Sequence, residues 1–144
     1  FVTLDELLEQ SFIISLHCPL NPSTKYLMDK TAFKKMKTGA MLINTSRGGL
    51  VNTKDAVHAL KEGELGYLGI DVYEQEGDLF FKDLSETVIQ DDVISRLMTF
   101  PNVLITAHQG FFTNEALAEI ASVTYQNIAN FENGVETGNV VDLL

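Results

Sequence analysis

The sequence predicts an α/β fold built around a parallel β-sheet. Short apolar runs of strand length alternate with helical patterns over most of the 144 residues, and helices between successive strands are typical of parallel sheets with right-handed crossovers. A polar cluster follows each of three apolar runs: residues 46–49 follow 40–45, residues 71–76 follow 67–70, and His108 follows 103–107. Because ligands of open α/β sheets bind beyond the carboxyl ends of the strands, these clusters are the first candidates for a functional site.

The first helix and strand are predicted near the start of the chain. Thr3 and Glu6 have the spacing of a capping box, in which a hydroxyl and a carboxylate satisfy free backbone N–H groups, so a helix is expected over residues 4–10. The apolar run 12–16 predicts a buried strand. Prolines and an asparagine make residues 17–24 a loop.

A second helix and strand follow. The helix is expected over residues 30–37, and Gly39 is a suitable left-handed residue to end it. The run 40–45 predicts the second strand. Asn52 or Thr53 then caps the third helix.

The second half of the chain contains two predicted strands and two predicted helices. A strand is expected at 67–72 and an irregular segment at 74–90, after which Asp91 caps a short helix and a strand follows at 103–106. The final helix, 113–133, has apolar residues at the spacing of one helix face. At roughly 1.5 Å per residue it is long enough to reach another domain.

The order of these elements indicates part of a known architecture. No G-x-G-x-x-G loop, which would bind the phosphates of a dinucleotide, occurs in the sequence. Four strands in this order without that loop predict the second half of a Rossmann-type doubly wound parallel sheet, followed by a long C-terminal helix. The chain begins at Phe1, directly at a helix start, so we expect the first half of the fold to be missing from it.

Composition argues against several classes of function. The net charge of −10 disfavours nucleic-acid binding, because phosphate contacts need clustered Lys and Arg. No apolar stretch approaches the ~20 residues of a membrane-spanning helix, and no signal peptide is recognisable. Cys18 is the only cysteine, which excludes an intramolecular disulfide and fits a reducing compartment. We therefore expect a cytoplasmic protein without nucleic-acid or membrane partners.

The polar clusters carry an arginine, carboxylates and a histidine. Arg47 follows Ser46 in a glycine turn, and its guanidinium matches a carboxylate with paired donors, although alone it would be taken for a surface arginine. His108 can transfer protons near neutrality, although a lone histidine is usually structural. Glu74 and Glu76 each offer a carboxylate to orient that histidine, and spacing does not choose between them.

The same residue types occur in other kinds of active site. Ser46, Glu76 and His108 could form a hydrolase triad, but the nucleophile elbow G-x-S-x-G is missing. The histidines are scattered, and neither H-E-x-x-H nor paired cysteines occur, so no metal site is expected. Asp71, at the end of the third strand, is well placed to accept hydrogen bonds from a ligand amide.

Three ordered motifs resemble those of the NAD-dependent D-2-hydroxyacid dehydrogenases over essentially the whole chain. Residues 41–48 (MLINTSRG) resemble the family's N-T-S/A-R-G signature, residues 69–76 (GIDVYEQE) its G-x-D-V-x-x-x-E block, and residues 106–108 (TAH) its T-x-H segment. The long insert after the second motif and the sequence HQGFFT are most similar to the fermentative D-lactate dehydrogenases. In that branch Phe111 would narrow the pocket around a short substrate tail.

The resemblance implies an oxidoreductase that transfers hydride from NADH to a small 2-keto acid, with pyruvate to D-lactate as the favoured reaction. Arg47 would bind the substrate carboxylate and polarise the keto group, His108 would give a proton to the keto oxygen, and Glu76 would hold His108. Arg47, His108 and Phe111 would face the substrate. The residues implied at the NAD cofactor are Cys18, Pro19, Thr24, Thr45, Ser46, Arg47 and Asp71.

The resemblance also implies a domain division. Residues 1–112 would be the C-terminal half of an NAD-binding domain, and residues 113–144 the helix and tail toward a missing substrate domain. The chain alone would then have little or no turnover, and the full-length protein would be a homo-oligomer acting on a small molecule. Two alternatives stay open: a dehydrogenase for another 2-hydroxy acid, and a non-catalytic NAD-binding corepressor of the C-terminal-binding-protein type.

Overall fold

The computed structural model describes residues 1–84 and 86–140. These residues form helices and strands in alternation, as the sequence predicts. The helices are α1 Leu4–Gln10, α2 Lys30–Lys35, α3 Thr53–Glu62, α4 Asp92–Leu97 and α5 Asn114–Glu132, and the strands are β1 Ile13–Leu16, β2 Ala40–Asn44, β3 Leu65–Ile70 and β4 Val103–Ile105. Short 3-10 turns lie at Gly48–Leu50 and Glu76–Asp78.

The four strands form one parallel sheet in the order β1-β2-β3-β4. Each strand therefore lies beside the strand that precedes it in the chain, and each pair is joined through a helix. This arrangement confirms the predicted α/β class with a parallel sheet. It also brings the carboxyl ends of the strands to one edge, where the loops that follow β2, β3 and β4 meet.

One face of the sheet is buried and the other is not. Leu16, Leu42 and Leu68 point into a core that also contains Phe33 of α2 and Leu60 of α3. On the opposite face Ile13, Tyr67 and Leu104 are more than half exposed. The prediction of a buried strand at 12–16 is therefore wrong for Phe12, Ile13 and Ser15, because β1 buries only the side chains that alternate toward the helices.

The boundary of α2 differs from the prediction. The helix ends at Lys35, and its C-cap is the buried, extended Met36 rather than Gly39. Gly39 does have a left-handed φ of +80°, but it belongs to the turn that starts β2. At this cap the Met36 side chain packs into the hydrophobic core.

β3 also shifts, beginning at Leu65 and ending at Ile70 rather than covering 67–72. Its pairing with β2 fixes these limits, since Ala40 lies opposite Leu65 and Asn44 opposite Ile70. The cap of α3 is resolved in favour of Asn52, whose side chain accepts a hydrogen bond from Asp55 N. The alternation of helices and strands and the N-cap of α3 were predictable from the sequence. The pairing of β3 with β2 set the ends of β3.

The chain divides into two compact units. The first is Phe1–His108 and holds the sheet with α1 to α4; the second comprises the described residues from Gln109 onward. In the second unit Thr113 caps α5, and no residue of that helix is buried. The division of the chain into functional parts at residues 112 and 113 stays a prediction.

Candidate active site

The carboxyl ends of β2, β3 and β4 are tied together by main-chain hydrogen bonds. The Asp71 N–H donates to Asn44 O at 3.0 Å, and the His108 N–H donates to Asp71 O. The Thr106 hydroxyl also donates to the Asp71 carboxylate. The loops that follow the three strands are therefore held at one edge of the sheet, as the strand-end argument requires.

Asn44 builds the turn that carries Arg47. Its side chain is fully buried at the end of β2. The amide nitrogen of Asn44 donates to Arg47 O at 2.9 Å, and its amide oxygen accepts from Ser46 N at 3.1 Å. The Ser46 hydroxyl donates to Cys18 O at 2.7 Å, which joins this turn to the loop after β1. Sequence reasoning missed Asn44, although an asparagine at the end of an apolar strand is a recognisable signal for such a turn.

The Arg47 side chain is exposed, and its Nη1 donates to Ser46 O at 2.7 Å. Within the described part of the chain, the ion pairs involve other residues, so no carboxylate there neutralises Arg47. The guanidinium keeps further N–H donors that can engage an anion. This arrangement suits the recognition of an external carboxylate.

Gly48 packs against the segment that follows β3. A Cβ at this position would lie 2.1 Å from Tyr73 C and 2.3 Å from Glu74 N, so only glycine fits. The missing side chain of Gly48 therefore admits the protein's own backbone. The Arg47 turn and the segment carrying Glu76 are therefore in direct contact.

Glu76 and His108 form a hydrogen-bonded pair. Glu76 Oε1 lies 3.1 Å from His108 Nδ1, and Glu76 Oε2 accepts from Tyr73 N at 2.9 Å. The side chains of His108 and Glu76 are 36% and 23% exposed. With an ionised Glu76 carboxylate, which can only accept, this hydrogen bond requires the proton on Nδ1 and leaves Nε2 for another partner.

Glu74 has a different partner set, which answers the question that spacing left open. Its carboxylate accepts from the Tyr26 hydroxyl at 2.9 Å and from Thr53 N at 3.2 Å. The hydrogen bond, with the negative charge of Glu74, raises the pKa of the Tyr26 phenol. Glu74 thus ties the loop after β1 to the start of α3, and Glu76 is the carboxylate beside the histidine.

The backbone around His108 adopts an unusual conformation. Ala107 and His108 have φ values of +57° and +56°. Non-glycine residues in this region store strain that surrounding contacts must offset, and such residues cluster at functional sites. The hydrogen bond from His108 N to Asp71 O helps to hold this turn. The T-A-H sequence gives no sign of the left-handed backbone.

Tyr73 is a second residue that sequence reasoning missed. It is buried, and its hydroxyl donates to Asp91 Oδ2 at 2.7 Å. Burial, and then the hydrogen bond to Asp91, raise the pKa of the Tyr73 phenol far above its ordinary value. Asp91 also caps α4 through its other oxygen. The second motif, which carries Glu76, is thereby joined to the start of α4.

The remaining predicted site residues lie around this edge. A pocket of about 510 Å³ next to Arg47 is lined also by Pro19 and Ser46. A groove of about 520 Å³ along the exposed sheet face includes Thr45, Asp71 and Thr106. The Thr24 hydroxyl donates to Pro19 O at 2.7 Å and so holds the loop rather than pointing a free group outward. Phe111 lies in the second unit, and its place at the substrate stays a prediction.

Neither a metal-binding cluster nor a membrane-spanning helix occurs among the described residues. No group of three or more His, Cys, Asp or Glu side chains there could hold a metal ion. In the same residues, no helix is both long and apolar enough to cross a membrane.

The sequence of residues 1–110 matches the family described as D-isomer specific 2-hydroxyacid dehydrogenase, NAD binding domain. The chain belongs to this dehydrogenase family. The match confirms the resemblance seen in the three motifs, and it confirms NAD as the cofactor of this domain type. The groove along the exposed sheet face combines polar groups of Thr45, Asp71 and Thr106 with a mostly apolar lining, so these residues are candidates for holding such a cofactor.

Several dehydrogenases of the family are similar to this chain. It is 56% identical to 2-hydroxyacid dehydrogenase A of Aspergillus oryzae over 131 residues, which is 91% of this chain and 38% of that protein. It is 52% identical to D-lactate dehydrogenase of Escherichia coli over 134 residues, which is 93% of this chain and 41% of that protein. The pyruvate reductase structure of Chlamydomonas reinhardtii superposes with a TM-score of 0.89 at 46% identity, covering 96% of this chain and 43% of that one.

This chain therefore spans about two fifths of the length of the dehydrogenases it matches. The matched part corresponds to the NAD-binding domain over residues 1–110. That partial coverage agrees with the predicted second half of a Rossmann-type sheet.

Proposed function

We propose that the full-length protein carrying this chain reduces a small 2-keto acid to the D-2-hydroxy acid with NADH, and that the acid is pyruvate. The observation that carries this proposal is the Glu76–His108 pair, held at the same sheet edge as the Arg47 turn. Bound NADH supplies a hydride to C2 of the keto acid. The protein's own residues supply the proton, the anchoring charge and the orientation.

His108 is the proposed proton donor. In the protonated imidazole Nδ1–H stays bonded to Glu76, and Nε2–H faces the keto oxygen. As C2 gains the hydride, the carbonyl π electrons move to oxygen, which takes the Nε2 proton. The imidazole is left neutral, and in the reverse reaction its Nε2 accepts the hydroxyl proton.

Arg47 is the proposed anchor for the substrate carboxylate. The chain carries a net charge of −10, so an anionic substrate needs a local cation. The exposed guanidinium offers paired N–H donors that match a carboxylate, and it stays charged at every working pH. A donor aimed at the keto oxygen would also stabilise the developing alkoxide.

The cofactor is proposed to lie along the sheet edge. Asp71 and Thr45, on the groove of about 520 Å³, would contact its nicotinamide side. Pro19 and Ser46 belong to the neighbouring pocket of about 510 Å³. The other residues assigned to NAD in this proposal are Cys18, Thr24 and Arg47.

Pyruvate is favoured over larger keto acids by two arguments. The chain is similar to a D-lactate dehydrogenase and to a pyruvate reductase over more than nine tenths of its length. In addition, Phe111 would limit the space for a longer substrate tail. A panel of 2-keto acids with NADH and NADPH, scored as kcat/KM on the full-length protein, tests this choice.

We expect the highest kcat/KM for pyruvate with NADH. A clear preference for a bulkier keto acid would overturn pyruvate and leave the dehydrogenase assignment intact. NADH binding without reduction of any keto acid would instead support the non-catalytic corepressor alternative. The 144-residue chain alone is expected to give little or no turnover.

Arg47→Gln tests the anchor. Loss of a paired, desolvated charge contact should lower kcat/KM for pyruvate roughly 100-fold, mainly through KM. Arg47→Lys should recover only part of this loss, because lysine keeps the charge without the paired donors. Lys34→Gln, an exposed charge removal on α2, is the matched control. Wild-type kcat/KM in Arg47→Gln would remove the role given to Arg47.

A further inference from the structure

We propose that Phe81 is a positioning residue that holds the imidazole of His108 in the orientation needed for proton transfer. The inference rests on the proposed dehydrogenase function. Its geometric basis is a contact between the two rings, whose centroids are 5.8 Å apart with planes inclined at 54°. Phe81 belongs to the insert after Glu76 and lies outside the three motifs.

Phe81 differs from its two apolar neighbours in the insert. Leu79 and Phe80 pack against the hydrophobic core, and the Phe80 ring lies 6.4 Å from the ring of Tyr73. Phe81 is 60% exposed and contacts His108 instead. The core therefore does not account for its position, and its close ring neighbour is the histidine.

The same short segment delivers both partners of His108. Leu79 N and Phe80 N donate to Glu76 O at 3.0 and 2.8 Å, so the turn that begins at Glu76 is continuous with the one that carries Phe81. A change in the direction of this turn would move the carboxylate and the aromatic ring together. Glu76 thus binds the imidazole at Nδ1, and the Phe81 ring contacts the imidazole ring.

A single hydrogen bond leaves an imidazole free to tilt. The bond from Nδ1 to Glu76 fixes one atom, while rotation about it still changes where Nε2 points. Glu76 and His108 are both partly exposed, so water can compete for this bond. A ring packed against the imidazole restricts the tilt and excludes water, and its π face remains an acceptable neighbour when the imidazole is charged.

Phe81→Ala in the full-length protein tests the inference. We expect kcat for keto-acid reduction to fall about tenfold with KM within about twofold of wild type, because small misplacements of a reacting group mainly slow the chemical step. Phe81→Tyr keeps the ring and should restore kcat to within about twofold. Val88→Ala, an apolar side chain in the same insert that is 80% exposed, should leave kcat unchanged.

A second readout does not depend on activity. With histidine labelled at its ring carbon Cε1, the ring current of Phe81 shifts the NMR signal of His108, which His108→Gln identifies. Phe81→Ala should remove this shift, whereas Val88→Ala should not. If the wild-type protein reduces no keto acid, the proposed function fails, and the loss of the shift still shows that the two rings are in contact.

Three results would overturn the inference. The first is an unchanged His108 signal in Phe81→Ala. The second is a wild-type kcat in an active enzyme carrying that substitution. The third is an increase in KM alone, which would indicate a substrate contact rather than the orientation of His108.

Discussion

Gly48→Ala offers the sharpest test of how the site is assembled. The new Cβ would lie 2.1 Å from Tyr73 C, 2.3 Å from Glu74 N and 2.4 Å from Tyr73 O. These are backbone atoms, so no side-chain rotation can relieve the overlap. Since ordinary contact begins at 3.4 Å, the Arg47 turn and the Tyr73–Glu74 backbone must separate by about 1.3 Å.

Two effects follow from that separation. Overpacking of this kind costs about 1–3 kcal/mol in the free energy of unfolding. The same movement shifts Arg47 relative to Glu76 and His108, and a misplacement of about 1 Å can reduce a catalytic rate about 100-fold. We expect a loss of roughly 2–3 kcal/mol in the free energy of unfolding and about 100-fold in kcat/KM.

The assays are urea unfolding and steady-state reduction of pyruvate, both on the full-length protein. Gly77→Ala is the matched control, because a Cβ there meets nothing within 4 Å and the backbone φ is not left-handed. That control isolates the close contact from the general effect of replacing a glycine. If Gly48→Ala retained wild-type unfolding and kcat/KM, the contact would not position the two parts of the site.

Two further predictions concern neighbouring groups. Glu76→Gln should lower kcat about 10²- to 10⁴-fold by removing the charge that orients and stabilises the protonated His108. Glu74→Gln can keep its contacts with Tyr26 and Thr53, so its kcat should stay within about threefold of wild type. Equal losses of kcat in the two variants, measured by steady-state kinetics, would contradict this assignment. Tyr73→Phe should cost about 1–2 kcal/mol in the free energy of unfolding at pH 7 through the lost hydrogen bond. Because the pKa of folded Tyr73 lies above its ordinary 10.0, this contribution is present below pH 10.0 and is lost as the pH rises beyond it. The difference from wild type in urea unfolding should therefore shrink between pH 10 and 11, and a difference that grew would refute the role of the buried phenol.

Much of the fold could be predicted because local signals agree with it. The capping box of Thr3 and Glu6 forms as expected, with the hydroxyl accepting from Glu6 N and the carboxylate accepting from Thr3 N. Asp91 caps α4 as expected, and Thr113, the predicted first residue of the last helix, is its N-cap. These caps depend on neighbours two or three residues away, so the local sequence is enough to predict them.

Predictions failed where distant contacts decide the outcome. Gly39 has the left-handed backbone of a helix cap, yet α2 ends at Lys35, where its C-cap Met36 is buried in the core. The limits of β3 follow from its pairing with β2 rather than from its own apolar run. Register and packing join residues far apart in the chain, and an apolar pattern does not specify which residues will pair.

The sequence by itself determined the α/β class, the order of the elements and the three motifs that bring Arg47, Glu76 and His108 to strand ends. Spacing left Glu74 and Glu76 open and the motif resemblance implied Glu76; the tertiary structure shows why the two carboxylates differ, because their partners lie on other elements: Tyr26 and Thr53 for Glu74, and His108 for Glu76. It alone also revealed Phe81 beside the imidazole and Gly48 against the Tyr73–Glu74 backbone. The physical reason is that residue type determines which chemistry a side chain can perform, whereas contacts between distant segments determine where that side chain lies.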